Sequence, residues 1–119
     1  MKQDHMSIDE YKKLCAAGKP SKMHNKKVTI DGITFDSLAE SRRYDELKLM
    51  LHSGEIRGFG CQPSFTLYAG IRYRPDFLVC GKNGRIWLED VKGYATDIFR
   101  LKEKQFRAKY PGFELRILK

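Results

Sequence analysis

Apolar residues recur with two different periods along this chain. Val28 to Phe35 (VTIDGITF) holds two alternating runs around Asp31-Gly32. That dipeptide is a strong hairpin signal, because a type I′ turn needs positive φ at both centres. The next segment, SLAESRRYDELKLMLH, changes to helical spacing. Asp36 or Ser37 serves as its cap, Ser53-Gly54 as its stop, and Tyr44, Leu47, Met50 and Leu51 as its inward stripe. Three β-rich runs follow, Gln62 to Tyr68, Ile71 to Cys80 and Arg85 to Val91, joined by turns at Ala69-Gly70 and Gly81 to Gly84. They predict an antiparallel meander. Thr96 to Lys109 reads as an amphipathic helix with Ile98, Leu101 and Phe106 inward, stopped by Pro111-Gly112. Phe113 to Leu118 reads as a closing strand, and a right-handed crossover would lay it parallel to the strand ending at Lys92.

The order helix, three strands, helix, strand predicts an α/β sandwich over residues 28–119. Residues 1–27 read as a separate arm. Ser7 to Ala17 predicts a short helix with a Ser7/Glu10 capping box, and Gly18 to Lys27 a lysine-rich linker. A chain of 119 residues suits one modest core. No apolar run approaches the roughly 18 residues that cross a bilayer, and the polar start does not resemble a signal peptide, so a cytosolic protein with no membrane partner is expected. Cys15, Cys61 and Cys80 lie far apart without CxxC pairing, and His5, His24 and His52 are scattered, which argues against a disulfide framework or zinc site. The formal charge of +8 favours a polyanionic partner, nucleic acid before membrane.

Charge matters most where it breaks the strand pattern. Period-two alternation puts Ile86, Leu88, Asp90 and Lys92 on one face and Trp87, Glu89 and Val91 on the other. Asp76 falls inside an apolar run, and antiparallel pairing brings it near Asp90. Two readings fit the patch. One is an ion pair of Lys92 with Asp90 or Asp76 at a sheet edge. The other is a divalent-metal site, since two buried carboxylates need a cation or proton between them. Glu40 also reads two ways. With Ser37 it completes an S-x-x-E capping box, and at four residues before Tyr44 it heads the inward stripe.

Arg74-Pro75-Asp76-Phe77 followed by Glu89-Asp90-Val91-Lys92-Gly93, after an upstream helical Glu, resembles the PD-(D/E)XK nuclease superfamily. The wider series IDGITFDSLAESRRYDELKLM, GEIRGFGCQPSF, YRPDF and EDVKG, with a Lys-rich helix, resembles the phage and prophage family DUF1064 over roughly Val28 to Lys119. The resemblance implies a restriction-endonuclease-like αβββαβ core, a mixed sheet flanked by helices. It also implies Mg²⁺- or Mn²⁺-dependent hydrolysis of DNA phosphodiesters. Asp76 and Asp90 would be metal ligands, joined by the Val91 carbonyl and by Glu40 directly or through water, with Lys92 as the catalytic lysine. Gln62 would hydrogen-bond near the site. Glu89 competes with Asp90 as ligand until strand register is known, and spacing to Lys92 favours Asp90. Lys102 and Lys104 are expected at the DNA because family members tend to be basic there, and Arg72, Tyr73 and Arg74 beside Asp76 are placed for its backbone. Branched-DNA cleavage in phage recombination, a homodimer and a location in the host-cell cytoplasm are further expectations. The alternative is a binding or assembly module that keeps the fold without cutting.

Overall fold

The computed structural model describes residues 26–119, so the expected arm helix over 7–17 lies outside the described residues. The hairpin forms as its turn chemistry dictates. Strands β1 (Val28–Ile30) and β2 (Ile33–Phe35) pair antiparallel, with Asp31 at φ 54° and Gly32 at φ 79°. Helix α1 (Leu38–Ser53) begins at Ser37, whose hydroxyl accepts the Glu40 N–H at 3.1 Å. It ends at Gly54 in the left-handed region, where the Glu55 N–H closes onto the Met50 carbonyl at 2.9 Å.

Four strands make the central sheet: β3 (Ile56–Cys61), β6 (Phe77–Gly81), β7 (Ile86–Val91) and β8 (Glu114–Leu118), side by side in that order. β3, β6 and β7 run antiparallel. β8 returns parallel to β7 after helix α2 (Asp97–Lys109), as the crossover argument requires. A separate two-stranded ribbon, β4 (Phe65–Thr66) with β5 (Arg72–Tyr73), lies between β3 and β6 in sequence. Over the described residues the fold is therefore α/β with a mixed sheet and two α-helices.

Two strand predictions need correction. The first strand of the sheet is Ile56–Cys61, not Gln62 to Tyr68. Its two glycines, Gly58 and Gly60, weaken any local strand signal, and pairing along β6 supplies what propensity does not. The run Ile71 to Cys80 is not one strand either. Pro75 carries no N–H for a ladder, and the chain leaves β5 and enters β6 around it.

The sheet separates two apolar clusters. Phe35, Tyr44, Leu47, Ile56, Phe77, Val79, Trp87 and Val91 fill the α1 side. Leu67, Tyr73, Leu88, Phe99, Phe106 and Leu115 fill the α2 side. Alternation along β7 thus sends Trp87 and Val91 one way and Leu88 the other, as predicted. The helix stripes shift slightly: Leu51 is exposed, and on α2 Phe99 is buried while Ile98 and Leu101 are only half-buried. Among the described residues no helix is long and apolar enough to cross a membrane.

Candidate active site

Strand register assembles the site. β6 and β7 pair Phe77 with Glu89 and Leu78 with Leu88, and Asp76 lies one residue before that ladder, beside Asp90. Backbone bonds tie it to both neighbouring segments. The Asp76 N–H donates to the Glu89 carbonyl at 3.0 Å, and the Asp76 carbonyl accepts the Gln62 N–H at 2.8 Å. Oδ2 of Asp76 accepts the Val91 N–H at 2.7 Å, and the Asp90 charge is close enough to act on it.

Asp90 is buried. Its Oδ2 accepts the hydroxyl of Tyr73, and its Oδ1 lies 3.6 Å from Nζ of Lys92. The Lys92 ammonium sits 4.8 Å above the Phe99 ring, which leaves it partly desolvated beside the acids. Glu40 approaches from the first turn of α1. It is buried, its Oε1 accepts the Asp36 N–H at 3.1 Å, and it is close enough to feel both Asp90 and Lys92. The two readings of Glu40 therefore coexist, since one residue caps the helix and brings a carboxylate to the patch.

The charges are costly to keep. Burial, then the Asp90 and Glu40 charges, push the Asp76 carboxyl up to about 8, against the pull of the Val91 N–H. Burial raises Asp90 as well, opposed by Lys92 and by the Tyr73 hydroxyl. Glu40 is raised by burial above all. Tyr73 is pushed far up by burial and by the neighbouring Asp90 charge, so its hydroxyl stays a donor. Three carboxyls thus face one ammonium in a place that disfavours charge, and a proton or a cation must make up the difference.

The donor set suits a hard cation. Among the described residues no three His, Cys, Asp or Glu side chains gather into a full protein cage. Mg²⁺ asks for less, one or two carboxylates with water and phosphate oxygens completing its shell. Asp76 and Asp90 would hold it, with Glu40 reaching it through water.

Glu89 is engaged away from the Asp76–Asp90 patch. It points to the α1 side, fully buried, where Arg43 grips it through Nε to Oε1 and a second nitrogen to Oε2, each at 2.8 Å, and the Trp87 indole N–H donates at 2.9 Å. The expectation for Gln62 changes in kind. Its side-chain amide donates to the Thr34 carbonyl at 2.9 Å, and only its backbone N–H serves Asp76. Tyr73 is corrected too, being buried against Asp90 rather than turned to a DNA backbone. Arg72 and Arg74 on either side of it are exposed and make no ion pair among the described residues. On α2, Lys102 is half-buried and Lys104 exposed; Arg107 is engaged with Glu103 and Lys109 with the Leu67 carbonyl. Sequence reasoning missed Arg43 entirely and misjudged Tyr73. For Tyr73 the signal was present: alternation in Arg72-Tyr73-Arg74 opposes the tyrosine to its neighbours.

No curated protein and no solved structure matches the chain. One family model does, described as "Protein of unknown function (DUF1064)", over residues 20–119. Matched across most of its length, this chain belongs to the DUF1064 family.

Proposed function

We propose that the protein is a divalent-metal-dependent endonuclease of the PD-(D/E)XK type that hydrolyses DNA phosphodiesters. The observation that carries the reading is the opposed Asp76–Asp90 pair with Lys92 beside it. A structural role alone is poorly served by a buried and a half-buried carboxylate side by side, whereas an ion between them would offset their repulsion. The proposal extends to Mg²⁺ or Mn²⁺ as cofactor and to branched DNA in phage recombination as the setting, in the cytoplasm. Cutting both strands of a junction would call for a two-fold dimer.

When bound, the ion supplies Lewis-acid charge next to the scissile phosphate. The protein's part is positional and electrostatic. The Val91 N–H orients Asp76 and the Tyr73 hydroxyl orients Asp90, so both carboxylates are fixed before substrate arrives. Lys92, partly exposed, offers its ammonium to the negative charge that develops as water attacks phosphorus. One P–O bond forms from the water, one ester P–O bond breaks, and the departing oxygen takes a proton from solvent.

The test is cleavage of linear, single-stranded, flap and four-way-junction DNA with Mg²⁺, Mn²⁺ or EDTA. Wild type should cut in a metal-dependent way, and Asp76→Ala and Lys92→Ala should each lose roughly 10²- to 10³-fold in rate. Variants that cut as well as wild type would sink the assignment. The rival reading is a non-cleaving DNA-binding or assembly module. Binding without cutting on every substrate would select it.

A further inference from the structure

We propose that Phe99 is a positioning residue for the proposed reaction: the face of its ring seats the Lys92 ammonium beside Asp90, short of a tight ion pair. The inference rests on the nuclease reading and deepens it. Lys92 directly follows β7, and its N–H donates to the Leu118 carbonyl at 2.8 Å. Alternation from Leu88 and Asp90 turns its side chain to the α2 side. There α2 supplies the ring. Thr96 caps that helix by accepting the Phe99 N–H at 3.1 Å, which makes Phe99 its third residue, and the ring packs among Tyr73, Leu88, Phe106 and Leu115.

Nζ of Lys92 lies 4.8 Å from the Phe99 ring centroid, inside the roughly 6 Å at which a ring face attracts a cation, and 3.6 Å from Oδ1 of Asp90. A charge-assisted hydrogen bond to a carboxylate is shorter, about 2.7–2.9 Å. Asp90 therefore attracts the ammonium without closing on it, and the ring helps to fix where it stands. The difference has chemical weight. A tight ion pair spends the lysine's charge on the carboxylate, whereas a ring holds an ammonium with no net charge of its own and leaves that charge to act on a phosphate. A cation on Asp90 would compete with Lys92 for the carboxylate oxygens, but not for the ring. The same ring lies 6.4 Å, centroid to centroid, from that of Tyr73, whose hydroxyl donates to Asp90. One buried side chain thus packs against both the ammonium and the residue that orients the neighbouring acid, while the Lys92 side chain stays partly exposed.

Fluorination of the ring tests the assignment, because it draws electron density from the face and weakens its pull on a cation while nearly keeping the ring's shape. Full-length chains carrying mono-, di- or trifluorophenylalanine in place of Phe99 are compared with wild type, and Phe99→Leu serves as the variant with no face. The first readout needs neither metal nor DNA: carbon-13 relaxation at Cε of Lys92 in EDTA. Its order parameter should exceed that of Lys82, which is exposed in the turn between β6 and β7, and should fall stepwise with each fluorine. The second is cleavage with Mg²⁺, whose rate should fall about 2- to 30-fold over the series, the range for one cation–π contact. The proposal is overturned if Lys92 is as mobile as Lys82 in wild type. It is also overturned if fluorination leaves Lys92 mobility, or the rate of a cutting wild type, unchanged. Packing alone predicts that result, and the monofluoro chain, nearest in size, decides if the others melt early. The two readings can fail separately. A wild type that cuts nothing while fluorine loosens Lys92 removes the nuclease reading and leaves the Phe99 seat. A cutting wild type indifferent to fluorine removes only the seat.

Discussion

Replacing Asp76 by asparagine should make the metal-free protein more stable at alkaline pH. Asp76 is raised to about 8 in the fold, whereas an aspartate in an unfolded chain titrates near 3.9. A group whose pKa rises on folding supports the fold fully below its unfolded pKa, and that support is lost as pH climbs through the folded value. The window therefore runs from about pH 4 to about pH 8. Four units at about 1.36 kcal/mol each set a ceiling near 6 kcal/mol. Because Asp76 shares its proton with Asp90 and water can relax around the pair, about 2–3 kcal/mol is the working figure. Asparagine retains an oxygen to accept the Val91 N–H and carries no charge.

Thermal unfolding of wild type and Asp76→Asn in EDTA from pH 5 to pH 9 isolates the effect, because every other titrating group is common to both. The gap should be smallest at pH 5 and widen as pH rises toward 8. By pH 9 the variant should melt roughly 8–12 °C higher, at about 4 °C per kcal/mol for a domain between the 60–100 and 150–250 residue classes. Mg²⁺ at pH 8 should then raise wild type by several degrees more than the variant, which lacks one ligand. Parallel pH profiles, or a variant less stable than wild type at pH 9, would refute the claim that the carboxylate pair is held against its electrostatic preference.

Two further substitutions probe the supports. Tyr73→Phe removes the hydroxyl that fixes Asp90, and Mn²⁺ affinity measured by titration calorimetry should fall about 10- to 100-fold with the fold intact by circular dichroism; an unchanged affinity would deny Tyr73 a positioning role. Arg43→Ala strands the buried Glu89 charge and should cost about 3–5 kcal/mol in urea unfolding, whereas Arg43→Met with Glu89→Leu should restore most of that loss; additive effects in the double-mutant cycle would count against the pair.

Local signals made much of the site legible. A short turn and period-two alternation are enough to face Asp76 with Asp90, because both depend on neighbours in sequence. Glu40 is legible for the same reason, as helix spacing alone turns it toward Tyr44 and the sheet. The strand β3 is not, since Gly58 and Gly60 erase its local preference and only pairing with distant β6 makes it a strand. Gln62 ends that strand at φ 55°, and its amide turns to Thr34, a contact across 28 positions that no spacing rule anticipates. The choice between Glu89 and Asp90 has a similar origin: the arginine that decides it lies 46 residues upstream on another element.

That arginine also bears on why the site holds its geometry. Glu89 and Asp90 are adjacent acids on opposite faces of β7, and a one-residue slip of β7 would exchange them. Apolar alternation resists the slip only partly, since Leu88 and Val91 would each find another apolar layer. The two-pronged Arg43 contact and the Trp87 indole resist it much more, because a slipped strand would bring Asp90, with a side chain one methylene shorter, into a pocket set for Glu89. It would also leave Tyr73 without its acceptor. A buried ion pair adds little net stability, but breaking one is expensive, and that asymmetry is what a register lock requires. The acid facing α1 thus holds in place the acid facing α2, and the register of the carboxylate patch depends on a residue outside it.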